Sequence, residues 1–97
     1  MMNGTYHITL LTPIGAKRGD ITFTDHNGAL SGSIRAMGGI QNFKGGKTDG
    51  TAFEFSGILN TGLFNIRYTA DGTAEGNALR GKVRTNLGTF QMQGEKA

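Results

Sequence analysis

Residues 20–36 read DITFTDHNGALSGSIRA. Apolar side chains recur at every second position on both sides of Asn27-Gly28: Ile21 and Phe23 before it, Leu30 and Ile34 after it. Alternation of this kind places one set of side chains on one face of a β-strand. Asn-Gly supplies the positive φ that a two-residue hairpin turn demands. Folding the chain back at that point sets Ile21 opposite Ile34 and Phe23 opposite Gly32. On the other face it brings Asp20 opposite Arg35. A slip of one residue would exchange the faces, so a single turn specifies the register of both strands.

The same rhythm runs outward in both directions. Period-two alternation predicts eight strands, at about 4–12, 17–25, 29–36, 40–47, 51–59, 63–74, 77–85 and 88–94. No window carries apolar residues at the i, i+3, i+4, i+7 spacing of a helix. The separators carry turn chemistry: HNG at 26–28, MGG at 37–39, TDG at 48–50, NTG at 60–62, EGN at 75–77 and NLG at 86–88. The 17 glycines and single proline of this 97-residue chain fit many tight turns. Short links predict that each strand pairs with its sequence neighbour as an up-and-down meander.

Carried along the chain, the turns predict further pairs. A two-residue Asn60-Thr61 turn sets Phe55 opposite Ile66 and Phe53 opposite Tyr68. A three-residue Thr48-Asp49-Gly50 loop sets Phe43 against Phe55. Glu75-Gly76 sets Tyr68 against Val83, and Asn86-Leu87 sets Val83 against Phe90. The apolar face then gathers Tyr6, Ile8, Leu10, Phe43, Phe53, Phe55, Phe64, Ile66, Tyr68, Leu79, Val83, Phe90 and Met92, with Gly32, Gly45, Gly57 and Gly81 at inward positions that permit bending. Outside, Glu54 falls between Lys44 and Arg67, and Asp71 opposite Arg80. Arg67 opposes Arg84 with Lys82 beside Thr69, an outer basic stripe. A sheet of eight strands must hide its apolar face, and curling until the last strand meets the first also removes both bare edges. The expected fold is all-β: one domain over residues 1–97, a closed or nearly closed eight-stranded antiparallel up-and-down meander barrel, with a folded-over sandwich as the alternative.

Gly4-Thr5-Tyr6 leading into such a meander resembles the calycin superfamily of lipocalins, fatty-acid-binding proteins and avidins, whose first strand opens with Gly-x-Trp. The chain is also similar to small bacterial barrels of this type in TPIG at 12–15, NGALSG at 27–32, GGKTDGTAFEF at 45–55 and ALRGKV at 78–83. The resemblance spans nearly the whole chain and implies a lipocalin- or streptavidin-like barrel. It transfers no binding residues, because the chain has no tryptophan and lacks the Arg-x-Tyr ending of fatty-acid-binding proteins. Through its NGTYHI start the chain is similar, over one strand, to small barrels that regulate bacterial type III secretion by binding a protein partner.

Composition narrows the function classes. Without cysteine there is no disulfide, thiolate metal site or thiol nucleophile. No apolar run approaches the ~20 residues of a membrane-spanning helix, and no basic-then-apolar leader is visible, so the chain reads as cytoplasmic. His7 points outward beside Thr9 and Thr22, and His26 adjoins a turn. With no third ligand converging on them, neither a metal nor another cofactor is expected. Asp20, Glu54 and Asp71 have basic neighbours, Asp25 and Asp49 are turn residues, and Ser31, Ser33 and Ser56 point outward. The expectation is a non-enzymatic protein.

A barrel of eight strands is just wide enough to be filled by side chains or to hold one small ligand. The candidates around a small apolar molecule are Tyr6, Phe23, Phe53, Phe55, Tyr68 and Phe90, with a tyrosine hydroxyl orienting its polar end. The alternative is a filled core and a protein partner. Leu11, Ile14, Met37, Leu63 and Leu87, gathered at one barrel end, would then form an interface, with a two-fold homodimer as the default. The net charge of +3 invites nucleic acid. That reading is disfavoured because no exposed aromatic residue interleaves the basic stripe.

Overall fold

A computed structural model describes residues 3–13, 15–36, 38–60 and 65–97. Eight strands follow in order: β1 (Gly4–Thr12), β2 (Gly15–His26), β3 (Ala29–Ala36), β4 (Gly39–Thr48), β5 (Ala52–Asn60), β6 (Asn65–Glu75), β7 (Ala78–Thr85) and β8 (Gly88–Lys96). Each pairs antiparallel with its sequence neighbours, and β8 returns to β1, with Tyr6 opposite Lys96 and Leu11 opposite Gln91. The sheet is a closed barrel.

The Asn27-Gly28 turn has φ values of 53° and 90°, as a two-residue hairpin requires. Ile21 faces Ile34, Phe23 faces Gly32 and Asp20 faces Arg35. Val83 likewise faces Phe90 across β7–β8. Asp25 is not the turn residue the sequence suggests but a buried member of β2. Its Oδ1 accepts the Gly28 N–H at 3.0 Å, and its own N–H donates to the Asn3 side chain at 2.9 Å. The Gly28 N–H gives the buried carboxylate a backbone donor.

Two expected ladders are displaced. Across β5–β6, Phe53 faces Gly72, Phe55 faces Ala70 and Tyr68 faces Gly57, where the turn argument gave Phe53–Tyr68 and Phe55–Ile66. Residues Thr61 and Phe64 lie outside the described residues, and the ladder begins at Asn60–Asn65. Across β6–β7 the turn is Gly76-Asn77, so Val83 faces Ala70 and Tyr68 faces Thr85 instead of Val83. The reason is steric. The observed ladders set large side chains against small ones, Phe53 on Gly72, Phe55 on Ala70, Tyr68 on Gly57 and Val83 on Ala70, which interdigitate at native density. Both displacements are by even numbers, so no side chain changes face.

Strand β4 carries the third correction. Leu30 faces Gly46 and Gly32 faces Phe43, so Lys44 and Gly45 together oppose Ser31 in a β-bulge. Gly45, at φ 78°, therefore points outward, and Gly46 takes the buried position. Beyond the bulge Lys47 pairs with Glu54 and Thr48 with Phe53. Phe43 and Phe55 are not ladder partners there, yet their rings stack with centroids 4.1 Å apart. The outer charges shift accordingly. Glu54 stands between Lys47 and Asp71, Asp71 faces Lys82, and Arg80 faces Thr73.

Inward glycines mark bends rather than space. A Cβ at Gly32 would strike the Thr22 carbonyl, and one at Gly72 or Gly81 the backbone of the facing strand. The end of the barrel that holds both termini is laced across its turns. Thr48 N–H donates to Gly28 O at 3.0 Å, and three further bonds of 2.8 Å run from Ala74 N–H to Thr51 O, Lys96 N–H to Asn77 O and Ala97 N–H to Thr5 O. In the β4–β5 loop the N–H groups of Thr51 and Ala52 donate to Asp49 Oδ1 and hold that carboxyl below its usual range.

Candidate functional site

Five of the six residues expected around a ligand meet inside the barrel. Phe23, fully buried, is their hub, with ring centroids 5.7 Å from Tyr6, 5.5 Å from Phe53 and 5.7 Å from Phe55. Phe55 in turn lies 6.0 Å from Tyr68 in an edge-to-face arrangement. Phe43, which alternation placed inside but which was not among the ligand candidates, completes the group at 6.1 Å from Phe23. These separations are those of favourable aromatic contacts, so this half of the interior is packed.

Phe90 is buried but stands outside the contiguous core cluster. It lies toward the end away from the termini, where the inward residues among those described include the aliphatic Leu10, Leu59, Ile66 and Val83. Tyr68 forms the border between the two halves. Its ring crosses over Gly57, with the hydroxyl 2.9 Å from where a Cβ of that glycine would stand. The residue is 5% exposed and its hydroxyl has no hydrogen-bond partner. Burial pushes its pKa up to about 12, which keeps the proton in place and the group a donor. A shallow cleft lined by Gly57, Ile58, Arg67, Tyr68 and Arg84 opens on the wall beside it.

The outer stripe is differently arranged from the sequence expectation. Arg84 faces Thr69 and Lys82 faces Asp71, while Arg67 faces Ile58. Arg84 comes within 4.0 Å of Asp71, an exposed pair of little energetic weight. Arg67 is tied by its backbone to Asn86, whose Oδ1 accepts its N–H at 3.1 Å.

Sequence reasoning missed one pairing altogether. His7 points outward, and its cross-strand neighbours are Asp20 and Glu95 rather than Thr22. Its Nδ1 lies 2.7 Å from Asp20 Oδ1, and Thr22 instead bonds Thr5. The β1–β2 register would have given the pair, but Thr-Pro-x-Gly is a less decisive turn signal than Asn-Gly. The dyad lies in an open saddle on the outer wall. No group of three His, Asp or Glu side chains among the described residues is placed to hold a metal ion.

No family model and no curated protein matches this chain. Among solved structures it is similar to a redesigned β-barrel, with a TM-score of 0.73 at 13% identity over 99% of this chain and 91% of that one. It is also similar to the redesigned β-barrel mFAP1 bound to DFHBI, with a TM-score of 0.71 at 17% identity over 99% and 94% of the two chains. At such identities the likeness carries the architecture: an all-β, closed eight-stranded antiparallel meander.

Proposed function

We propose that this protein is a non-enzymatic binding barrel for a small, compact, mostly apolar molecule carrying one hydrogen-bond acceptor. The observation that carries the reading is the buried, unpartnered hydroxyl of Tyr68 among apolar side chains. Leaving such a group unsatisfied costs about 1–3 kcal/mol, and a phenylalanine would fill the same volume without that cost. A ligand acceptor seated against the hydroxyl offsets the cost. The ligand lies between Tyr68 and Phe90, with Phe23, Phe53 and Phe55 as its floor and Tyr6 packed against Phe23. The likeness to mFAP1, a redesigned β-barrel bound to DFHBI, supports the reading.

Native mass spectrometry of freshly purified protein, with fluorescence titration of DFHBI and of 1-anilinonaphthalene-8-sulfonate, tests it. We expect a retained small molecule or saturable one-to-one binding, weakened about tenfold in Tyr68→Phe. Absence of any saturable binding, or identical affinities for wild type and Tyr68→Phe, would rule the site out.

A further inference from the structure

The two ends of the barrel differ in chemistry as much as its two faces do. Four large apolar side chains stay exposed on the described residues, namely Leu11, Ile40, Ile58 and Leu87. All four lie at the end away from the termini, within three residues of a strand end or in the β7–β8 turn. Ile40 faces Arg35 across the ladder, and Ile58 faces Arg67. Leu87 occupies the turn that follows Arg84, held against Arg67 through Asn86.

Charge is segregated in the same sense. The four terminal residues of each strand at this end include Lys17, Arg18, Arg35, Arg67, Lys82 and Arg84, and not one Asp or Glu. The corresponding residues at the opposite end include Asp25, Glu54, Glu75 and Glu95 against Lys47, Arg80 and Lys96. Asp20 and Asp71 sit just inside the boundary, opposite Arg35 and Lys82, which leaves Lys17, Arg18 and Arg67 the least compensated.

We propose that this end docks onto the surface of an anionic phospholipid bilayer. The apolar side chains enter the boundary between headgroups and acyl chains, and the basic collar meets the phosphates. Apolar side chains interleaved with one sign of charge match an interface that is greasy within and negative at its surface. Depth agrees as well. Ile58 is the third residue from its strand end, so at about 3.3 Å per residue the apolar set lies within about 10 Å of the strand ends. Interfacial elements sink by about 5–10 Å. A second copy of the chain fits less well, since a two-fold contact through this end would set the uncompensated bases against themselves. The inference is independent of the interior ligand, because none of these side chains lines the barrel interior.

Co-sedimentation of the protein with vesicles tests it. Vesicles of phosphatidylcholine mixed with phosphatidylglycerol should retain the protein at low salt, pure phosphatidylcholine should not, and raising ionic strength should release it. Arg67→Glu should weaken binding by fivefold or more, since each basic residue at an anionic surface contributes about that factor. Leu87→Ser, in an exposed turn, should also weaken it. Lys47→Glu at the opposite end should leave it unchanged. Equal binding to neutral vesicles, no binding at low salt, or an equal loss in Lys47→Glu would overturn the proposal. So would sedimentation velocity showing that Leu87→Ser dissolves a dimer while lipid binding persists. The wild-type salt and lipid series decides the matter even if a variant fails to fold.

Discussion

Tyr68 concentrates the tension between stability and function. Its neighbours Phe55 and Gly57 shape a slot for a ring, and nothing in that slot takes the hydroxyl. Tyr68→Phe should therefore stabilise the ligand-free protein by about 1 kcal/mol while weakening ligand binding, with both read by urea denaturation in the presence and absence of probe. Alkaline pH gives a second signature. The tyrosine ionises near 10 in the unfolded chain and at about 12 in the folded one. Its contribution is thus fully present below pH 10 and lost as pH climbs toward 12. The wild type should lose more stability over that window than Tyr68→Phe, by roughly 1.4 kcal/mol for each pH unit between the two ionisations. Parallel pH profiles would show the hydroxyl to be solvated. At the hub of the rings, Phe23→Ala should cost about 3–5 kcal/mol, whereas Thr69→Ala on the outer face should change stability by no more than about half a kcal/mol.

At the scale of the strand, glycines are of two kinds. Gly45 has positive φ and open space beside it, so Gly45→Ala meets only the left-handed backbone penalty of about 1–2 kcal/mol. Gly32 combines positive φ with a facing carbonyl where a Cβ would stand, and Gly32→Ala should cost about 3 kcal/mol or more. Equal losses in thermal denaturation would mean the strands part easily at Gly32. These elements also show where reading a sequence stops. Asn27-Gly28 and Asn86-Leu87 gave correct registers because local backbone conformation decides a two-residue turn. Gly76-Asn77 and the β4 bulge could not be placed that way, since two neighbouring turn frames have similar local energies. Packing chose between them by setting Val83 against Ala70 and Phe43 against Gly32.

For the molecule as a whole, closure joins the first strand to the last, Tyr6 to Lys96. Contacts so distant in sequence must be made before they contribute, so folding should take milliseconds to seconds in stopped-flow experiments. A microsecond phase carrying the full amplitude would contradict a closed meander. The segregation of charge and apolar surface between the two ends belongs to this scale as well. Ile40 and Ile58 were not among the outward apolar residues that the sequence singled out, and Ile14, Met37 and Leu63, which were, lie outside the described residues.

The amino-acid sequence alone determined that the chain is all-β, has eight strands, and buries every second side chain. Alternation and turn chemistry are local properties, and they survive any even shift in pairing. Tertiary structure alone decided which large side chain faces which small one, that Tyr68 is buried without a partner, and that exposed apolar and basic residues share one end. Those outcomes depend on the width of the closed barrel and the stagger of its strands, which exist only once the eighth strand has met the first.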